Sequence, residues 1–185
     1  MIDFGATASQ AITGTNKTTV SAWIKQRVQT GGYHAIMGTQ GVEGFHWQIY
    51  GVNGSMQVYL VTPTPGVVVN LYTKANINAR AGTWQHVAWT YDGTGANALK
   101  IYVNGTLDGT QTGTLPINST SIMQIGQAYN TVRDFDGWID EIRIWNRSLS
   151  AAEIQQQYYS NLNKYDTDKW IFYSNQSNLS VSDYT

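Results

Sequence analysis

Side chains that form neutral hydrogen bonds recur at every second position in three consecutive stretches of the chain. They alternate with apolar residues, as side chains do on the two faces of a β-strand. Sugar hydroxyls bond to planar amide and phenol groups, and the C–H faces of sugar rings stack on aromatic rings. The pattern predicts a ligand-binding face made of His46, Gln48, Tyr50, Gln57, Tyr59, Asn70 and Tyr72.

Apolar residues between these polar positions predict the register of the three strands. They are Phe45, Trp47, Ile49, Met56, Val58, Leu60, Val67, Val69 and Leu71. A slip of one residue would expose this whole apolar set and bury the polar one, so the register should be firm. Because neighbouring strands lie ~4.8 Å apart, we expect Tyr50, Tyr59 and Tyr72 to form one row of phenols. The alternative is a solvated sheet face without a ligand, since tyrosine also favours strands.

Three aspartates that lie close together in the sequence are candidate ligands for a metal ion. Asp134, Asp136 and Asp140 cluster around one turn and the strand that follows it. Calcium prefers carboxylate and carbonyl oxygens, so a structural calcium ion is one expectation. The alternative is that Asp140 accepts backbone N–H bonds and Asp136 is a turn residue.

Short apolar segments separated by turn residues run through most of the chain. An edge strand and a connection are predicted over residues 1–12, and further strands over residues 18–26, 34–38, 45–50, 56–60, 67–71, 84–91, 98–103 and 121–125. Asn53-Gly54 is a hairpin signal between two of these strands. Short strands at this spacing are typical of a β-sandwich.

The stretch from Gly137 to Ile154 combines a strand with the start of a helix. Alternation places Trp138, Asp140, Ile142 and Ile144 on the apolar side of that strand. Ser150 and Glu153 then have the spacing of a capping box, and Leu149 and Ile154 have that of a hydrophobic staple. We therefore expect a core strand that leads directly into one short amphipathic helix.

This stretch resembles the end of the laminin-G-like, concanavalin A-like lectin/glucanase family, in which a similar strand precedes a short helix. Two further stretches are similar to family sequences, residues 83–105 and 19–25. The resemblance extends over about residues 2–162 and implies an all-β, two-sheet antiparallel jelly-roll sandwich with one short C-terminal α-helix. It also implies that any glycan binds to the concave sheet face or the loops at its rim.

The glutamates lack the arrangement that the resemblance would require of an enzyme. Glucanases of this fold share a Glu-x-Asp-x-(x)-Glu strand motif, whose alternate carboxylates act as nucleophile and acid ~5–5.5 Å apart. The glutamates of this chain are Glu43, Glu141 and Glu153, and none has that spacing. The three histidines also lack zinc-ligand spacing, and the chain has no cysteine and no G-x-S-x-G motif. We expect no catalytic activity.

Composition narrows the classes of partner. Charged residues make up 12% of the chain and the formal net charge is −1, so the basic surface of a nucleic-acid-binding protein is absent. No apolar run is long enough to predict membrane insertion. The abundant Asn, Gln, Ser, Thr and Tyr suit neutral hydrogen-bonding ligands and an extracellular, cell-surface or virion location.

These observations predict one concanavalin A-like domain over residues 1–163, followed by a tail or edge strand over residues 164–185. The preferred function is a non-catalytic carbohydrate-binding or adhesion module of a larger protein. Its partner would be a neutral oligosaccharide or a surface protein. The alternative is a structural domain that assembles a virion or cell-surface fibre, with a homo-oligomer as one outcome.

Overall fold

The computed structural model describes residues 2–3, 17–41, 44–61, 68–114, 117, 121–129 and 133–165. Eleven strands, one 3-10 turn and one α-helix form within these residues. The strands are β1 (Ile2–Asp3), β2 (Thr18–Gln26), β3 (Tyr33–Thr39), β4 (Gly44–Tyr50), β5 (Ser55–Val61), β6 (Val68–Asn76), β7 (Gln85–Tyr91), β8 (Gly95–Val103), β9 (Thr106–Gly113), β10 (Met123–Ile125) and β11 (Gly137–Trp145). The 3-10 turn covers Ile77–Arg80, and helix α1 covers Ala151–Tyr165.

The strands form two antiparallel sheets. The first sheet has the order β1-β10-β3-β4-β5-β6, and the second has the order β11-β2-β7-β8-β9. Neighbours that are distant in the sequence, such as β11 and β2, show that the chain crosses repeatedly between the sheets. The predicted two-sheet jelly-roll sandwich with one C-terminal helix is confirmed.

The inner faces of the two sheets enclose one apolar core. From β4 the sequence-predicted set Phe45, Trp47 and Ile49 is fully buried in it. Opposite this set, the rings of Phe45 and Trp89 lie 5.5 Å apart between the sheets. The apolar positions of β5 and β6 join the same core, except that Val67 lies outside the described residues. The alternation in the sequence therefore predicted the inward face correctly.

The turn between β4 and β5 holds these two strands in register. Gly54 has φ of +70°, which an L side chain rarely adopts, and a Cβ there would lie 2.1 Å from Oδ1 of Asn76. Asn53 accepts hydrogen bonds through Oδ1 from the backbone N and the Oγ of Ser55, at 3.0 and 2.7 Å. The Asn53-Gly54 signal thus corresponds to an observed hairpin.

Helix α1 packs on the outer face of the second sheet. The backbone N of Ser150 donates to Oε2 of Glu153 at 2.8 Å, and the backbone N of Glu153 donates to Oγ of Ser150 at 3.3 Å. Leu149 and Ile154 pack in one buried cluster. Both the predicted capping box and the predicted staple are therefore present. The ring of Trp23 stacks under the helix, 4.3 Å from that of Tyr165.

Strand β11 departs from simple alternation because it contains a β-bulge. The pairing with β2 shifts between Asp140 and Arg143, and Glu141 has φ of +50°. The extra residue reverses which face the preceding positions occupy. Ile139 and Ile142, on the two sides of the bulge, consequently both pack against the core.

Two predicted orientations in β11 are therefore wrong. Asp140 pairs with Trp23, whose side chain lies on the outer face, and Trp138 pairs with Lys25 on the same face. The Trp138 side chain is 53% exposed. Neither residue faces the core, because the bulge places them out of phase with Ile142.

Other boundaries differ from the predictions by small amounts. Strand β9 was not predicted, because most of its side chains are polar and exposed and it occupies an edge of the second sheet. Of the predicted first strand only Ile2–Asp3 is described, and it pairs with β10. Helix α1 continues to Tyr165, two residues beyond the predicted boundary, and residues 166–185 lie outside the described part. Within the described residues, no helix has the length and apolarity needed to span a membrane.

Candidate functional site

All seven residues of the predicted ligand face project from one face of the first sheet. His46 pairs with Tyr59 and Gln48 with Gln57 across β4 and β5. Gln57 and Tyr59 pair in turn with Tyr72 and Asn70 across β5 and β6. Paired residues point to the same side of a sheet, and the intervening residues are those buried in the core. The face is therefore the outer one, away from the second sheet.

This face is less exposed than the sequence suggested. His46, Gln48 and Gln57 retain only 1%, 2% and 3% of their accessible surface. The three tyrosines are half-buried and Asn70 is exposed. The side chains of Tyr129 and Arg133 contact this face, at His46 and Gln48. The prediction that the whole set is exposed is consequently wrong, and its buried members form the floor of a pocket.

The pocket has a volume of about 330 Å³. Its walls add four residues that sequence reasoning missed. Tyr33 begins β3 one residue before the predicted strand, so a strand extended by one position would have included it. Val61 ends β5, whereas Tyr129 and Arg133 follow β10 in irregular backbone and carried no periodic signal. The lining residues are Tyr33, His46, Gln48, Gln57, Tyr59, Val61, Tyr129 and Arg133.

A hydrogen-bond network joins the amides of the floor. Nε2 of Gln48 donates to Oε1 of Gln57, whose own Nε2 donates to Oδ1 of Asn70 at 2.8 Å and to the Tyr72 hydroxyl at 2.7 Å. The Tyr72 hydroxyl is 3.2 Å from the hydroxyl of Tyr33. Buried amides that are satisfied in this way hold their side chains in one orientation. The floor is therefore preorganised.

Arg133 contributes a positive charge to the described pocket lining. Its Nη1 donates to Oε1 of Gln48 at 2.9 Å. Its guanidinium lies over two rings, 4.8 Å from the centroid of Tyr33 and 4.2 Å from that of Tyr129. Burial lowers the pKa of Arg133 from its ordinary value, although the group stays protonated at neutral pH. The sequence predicted a face of almost uncharged residues. The tertiary structure corrects this prediction, because it adds the positive charge of Arg133.

The aromatic rings form two groups at opposite ends of the pocket. Tyr50 stacks on Tyr33 at 4.8 Å and meets the edge of Tyr72 at 6.2 Å. At the other end, His46 stacks on Tyr59 at 5.9 Å and meets Tyr129 at 5.5 Å. Tyr50, Tyr59 and Tyr72 thus do not form the single row that was predicted, because Tyr59 belongs to the second group.

His46 is a neutral hydrogen-bonding group in this environment. Its Nε2 is 3.0 Å from the carbonyl oxygen of Gly41, so Nε2 carries the proton and donates it. Burial lowers the pKa of His46 to about 4, and the nearby charge of Arg133 adds to this effect. At neutral pH the imidazole is therefore uncharged.

The chemistry available in the pocket is recognition by hydrogen bonds, ring contacts and one positive charge. No Asp or Glu is among the described residues that line it. The lining residues that the structure describes therefore include no carboxylate pair for glycosidic bond cleavage.

The three aspartates of the metal hypothesis are held by separate partners. Oδ1 of Asp134 accepts from Nε2 of Gln127 at 2.6 Å, and Oδ1 of Asp136 is 3.2 Å from Nη1 of Arg27. No group of three or more metal-ligating side chains occurs among the residues described. Calcium binding by these aspartates stays a prediction.

Asp140 contacts helix α1 instead of the core. Its Oδ2 lies 3.0 Å from Nζ of Lys164, which is also 3.0 Å from Oε1 of Glu141. The hydrogen bond from Lys164 holds the pKa of Asp140 below its usual value. Oδ1 of Asp140 also accepts a hydrogen bond from the backbone N of Glu141 at 2.8 Å, as the alternative interpretation of this residue predicted.

Solved structures with the same fold are similar to this chain at low identity. Domain 4 of AbnA, an extracellular GH43 arabinanase from Geobacillus stearothermophilus solved with arabinotriose, has a TM-score of 0.60 and 20% identity over 79% of this chain and 68% of that one. A candidate carbohydrate-binding protein from Bacteroides ovatus has a TM-score of 0.62 and 24% identity, over 77% of this chain and 40% of that one. The CBM40 of the Ruminococcus gnavus IT-sialidase, bound to α2,3-sialyllactose, has a TM-score of 0.64 and 18% identity, over 83% and 86%.

Family membership rests on the sequence itself. No curated protein sequence matches this chain significantly. Residues 3–155, which include both sheets and the start of helix α1, match the sequence model of a family. The chain therefore belongs to the Concanavalin A-like lectin/glucanases superfamily.

Proposed function

We propose that this domain is a non-catalytic glycan-binding module whose ligand occupies the pocket on the first sheet. One observation carries the proposal. The pocket combines a floor of buried, hydrogen-bonded amides with tyrosine rings at both ends, within about 330 Å³. Small-ligand sites in proteins have volumes of this order. Amides and phenols match sugar hydroxyls, while the rings offer faces for sugar C–H groups.

The structural relatives support the same proposal. Two of them are solved with an oligosaccharide, arabinotriose in one case and sialyllactose in the other. Their sequence identities to this chain are 20% and 18%. Similarity at this level indicates a shared fold but does not indicate a shared binding site. The inference for this chain depends on its own pocket residues.

Affinity of a single module should be modest and would be strengthened by repetition on a surface. A shallow pocket with a few rings and amides contacts few sugar units. Several copies on one assembly raise the effective concentration of binding sites without new contacts. We accordingly place the domain in a larger extracellular, cell-surface or virion protein that binds glycans.

Glycan binding by single-site variants tests this function. Tyr59→Ala and Tyr33→Ala each remove one ring of the pocket lining, one from each of the two aromatic groups. We expect each to weaken binding by about 1 kcal/mol or more, since one aromatic contact contributes on this scale. Tyr159→Ala removes a half-buried tyrosine of helix α1 and serves as the control. If the pocket variants bind a glycan panel as wild type does, this pocket is not the site.

The non-catalytic part has its own measurement. The domain is incubated with β-glucan, xylan and arabinan, and the appearance of new reducing ends is followed. We expect none above the buffer control, because the described pocket lining contains no acid–base pair. Release of reducing ends that Glu141→Gln abolishes would show an enzyme instead.

A second candidate function is assembly with a surface protein or with another copy of the chain. The observation that favours it is the exposed Trp138 on β11, an edge strand of the second sheet. The Trp138 side chain is 53% exposed on the outer face, and edge strands offer unpaired backbone groups to a partner. Light scattering after gel filtration tests this function. A mass that depends on Trp138 would support assembly, whereas a monomer at every concentration would exclude a homo-oligomer.

A further inference from the structure

We propose that the pocket selects glycans carrying a carboxylate group, with Arg133 as the residue that pairs with it. The inference rests on the proposed function, because it concerns the ligand of the same pocket. It replaces the expectation of a neutral oligosaccharide with an acidic one, such as a uronic acid or sialic acid unit.

The first step is that Arg133 has no acidic partner among the described residues. Four other cationic side chains each lie within 3.2 Å of a carboxylate oxygen: Arg27, Arg143, Arg147 and Lys164. Arg133 instead contacts one amide oxygen and two tyrosine rings. No described carboxylate comes within 4.0 Å of its nitrogens. Among the described residues, the charge of this pocket thus has no anion beside it.

The second step concerns the hydrogen-bonding capacity of the guanidinium. The group has five N–H donors, and the one hydrogen bond from it within the described structure uses Nη1. A carboxylate matches the planar fork of the remaining donors and can accept two of them at once. A sugar hydroxyl lacks both the charge and this geometry.

The third step is that the guanidinium is already held in position. Gln48 accepts from Arg133 and donates to Gln57, which is bound in turn to Asn70 and Tyr72. Tyr33 and Tyr129 pack on its faces. The Arg133 side chain is therefore ordered before a ligand binds, so binding does not include the free-energy cost of ordering it. Rings of this kind attract a cation but leave its net charge uncompensated.

A purely structural role for Arg133 makes a different prediction. Arg133 would then only stabilise the fold, through its contacts with Gln48 on the pocket floor and with the rings of Tyr33 and Tyr129. In that case replacing Arg133 would lower the stability of the domain and weaken the binding of acidic and neutral ligands to the same extent. Discrimination between a carboxylate and its ester separates the two roles.

The experiment compares sialyllactose and trigalacturonate with their carboxyl methyl esters, using calorimetry and NMR titration of the arginine side-chain signals. We expect wild type to bind at least one acid roughly 10- to 100-fold more tightly than its ester, the range for a hydrogen bond to a charged group. Binding should shift the Nε–H signal of Arg133. Arg133→Gln should lose the preference and keep the weaker ester binding. Arg80→Gln removes the same charge from an exposed residue outside the pocket lining and should retain the preference.

Each outcome decides between the alternatives. If acid and ester bind wild type equally, or if Arg133→Gln keeps the preference, the inference is wrong and the proposed function stands. Wild type alone provides this comparison even where Arg133→Gln is too unstable to measure. If none of these ligands binds, and a wider glycan panel also fails, both the proposed function and the inference are overturned.

Discussion

Nζ of Lys164, near the end of helix α1, lies 3.0 Å from Oδ2 of Asp140 in the bulged part of β11. The two side chains are 48% and 44% exposed. This ion pair connects the last turn of the helix to the edge strand of the second sheet. It exists because the bulge at Glu141 turns Asp140 to the outer face.

Asp140→Asn should lower the melting temperature only slightly. Exposed ion pairs contribute little, because water and salt screen them. The effect should disappear in about 1 M salt, where the Debye length is ~3 Å. The pKa of Asp140 is lowered in the folded state, so its contribution is present above the unfolded pKa and is lost as the pH falls through the folded value. A salt-independent decrease in thermal scans of this variant would show that Asp140 has another role.

If Asp134, Asp136 and Asp140 bind calcium, added calcium should raise the melting temperature of the domain. An ion that binds only the folded state raises its melting temperature, and a chelator reverses the increase. Asp136 and Asp140 would have to exchange Arg27 and Lys164 for the ion. Thermal scans with calcium and with chelator measure this directly, with Asp108→Asn as a control outside the cluster. Identical melting curves in both solutions would show that these aspartates do not bind calcium.

Gln57→Met should destabilise the domain although the side-chain length is kept. Gln57 is buried, and its loss leaves the amides of Gln48 and Asn70 and the hydroxyl of Tyr72 with fewer partners. Unsatisfied buried polar groups cost about 1–3 kcal/mol. Chemical denaturation measures the change, and Gln111→Met on exposed strand β9 is the matched control. An unfolding free energy equal to wild type would mean that the network contributes nothing to stability.

Stability should fall as the pH drops below neutral, because two histidines are buried in the uncharged form. Burial lowers the pKa of His46 to about 4 and that of His86 to about 3, from an ordinary value of 6.5. Between about pH 6.5 and pH 4 the unfolded chain binds protons that the folded chain does not, so unfolding is favoured. Each histidine can contribute a slope of up to ~1.4 kcal/mol per pH unit.

His86→Phe isolates one of these contributions. The ring of His86 lies 5.5 Å from that of Trp23 and 6.0 Å from that of Tyr158, so a phenyl ring suits this aromatic environment. Denaturation of wild type and variant across this pH range should show a shallower slope in the variant. Parallel pH profiles would mean that His86 is not responsible for the acid sensitivity.

Much of the fold could be predicted because it follows from periodicity and local signals. Strand residues alternate between two faces, so the apolar set of Phe45, Trp47 and Ile49 indicated which side of β4 is buried. The capping box of Ser150 and Glu153 is equally local, since its bonds span three residues. Interactions between near neighbours leave a pattern in the sequence.

The bulge in β11 shows where such a pattern fails. Glu141 adds one residue to the strand and reverses the side on which Trp138 and Asp140 lie. Alternation alone assigns both to the core, because the extra residue is decided by how β11 pairs with β2.

The sequence by itself determined the sandwich, the helix and the seven residues that share one face of the first sheet. Only the tertiary structure decided that His46, Gln48 and Gln57 form a covered floor and that Arg133 lies over it. Arg133 is 85 positions from Gln48 in the chain, and no repeating pattern connects them. Contacts of this kind between distant residues follow from the packing of the whole sandwich and not from any local preference.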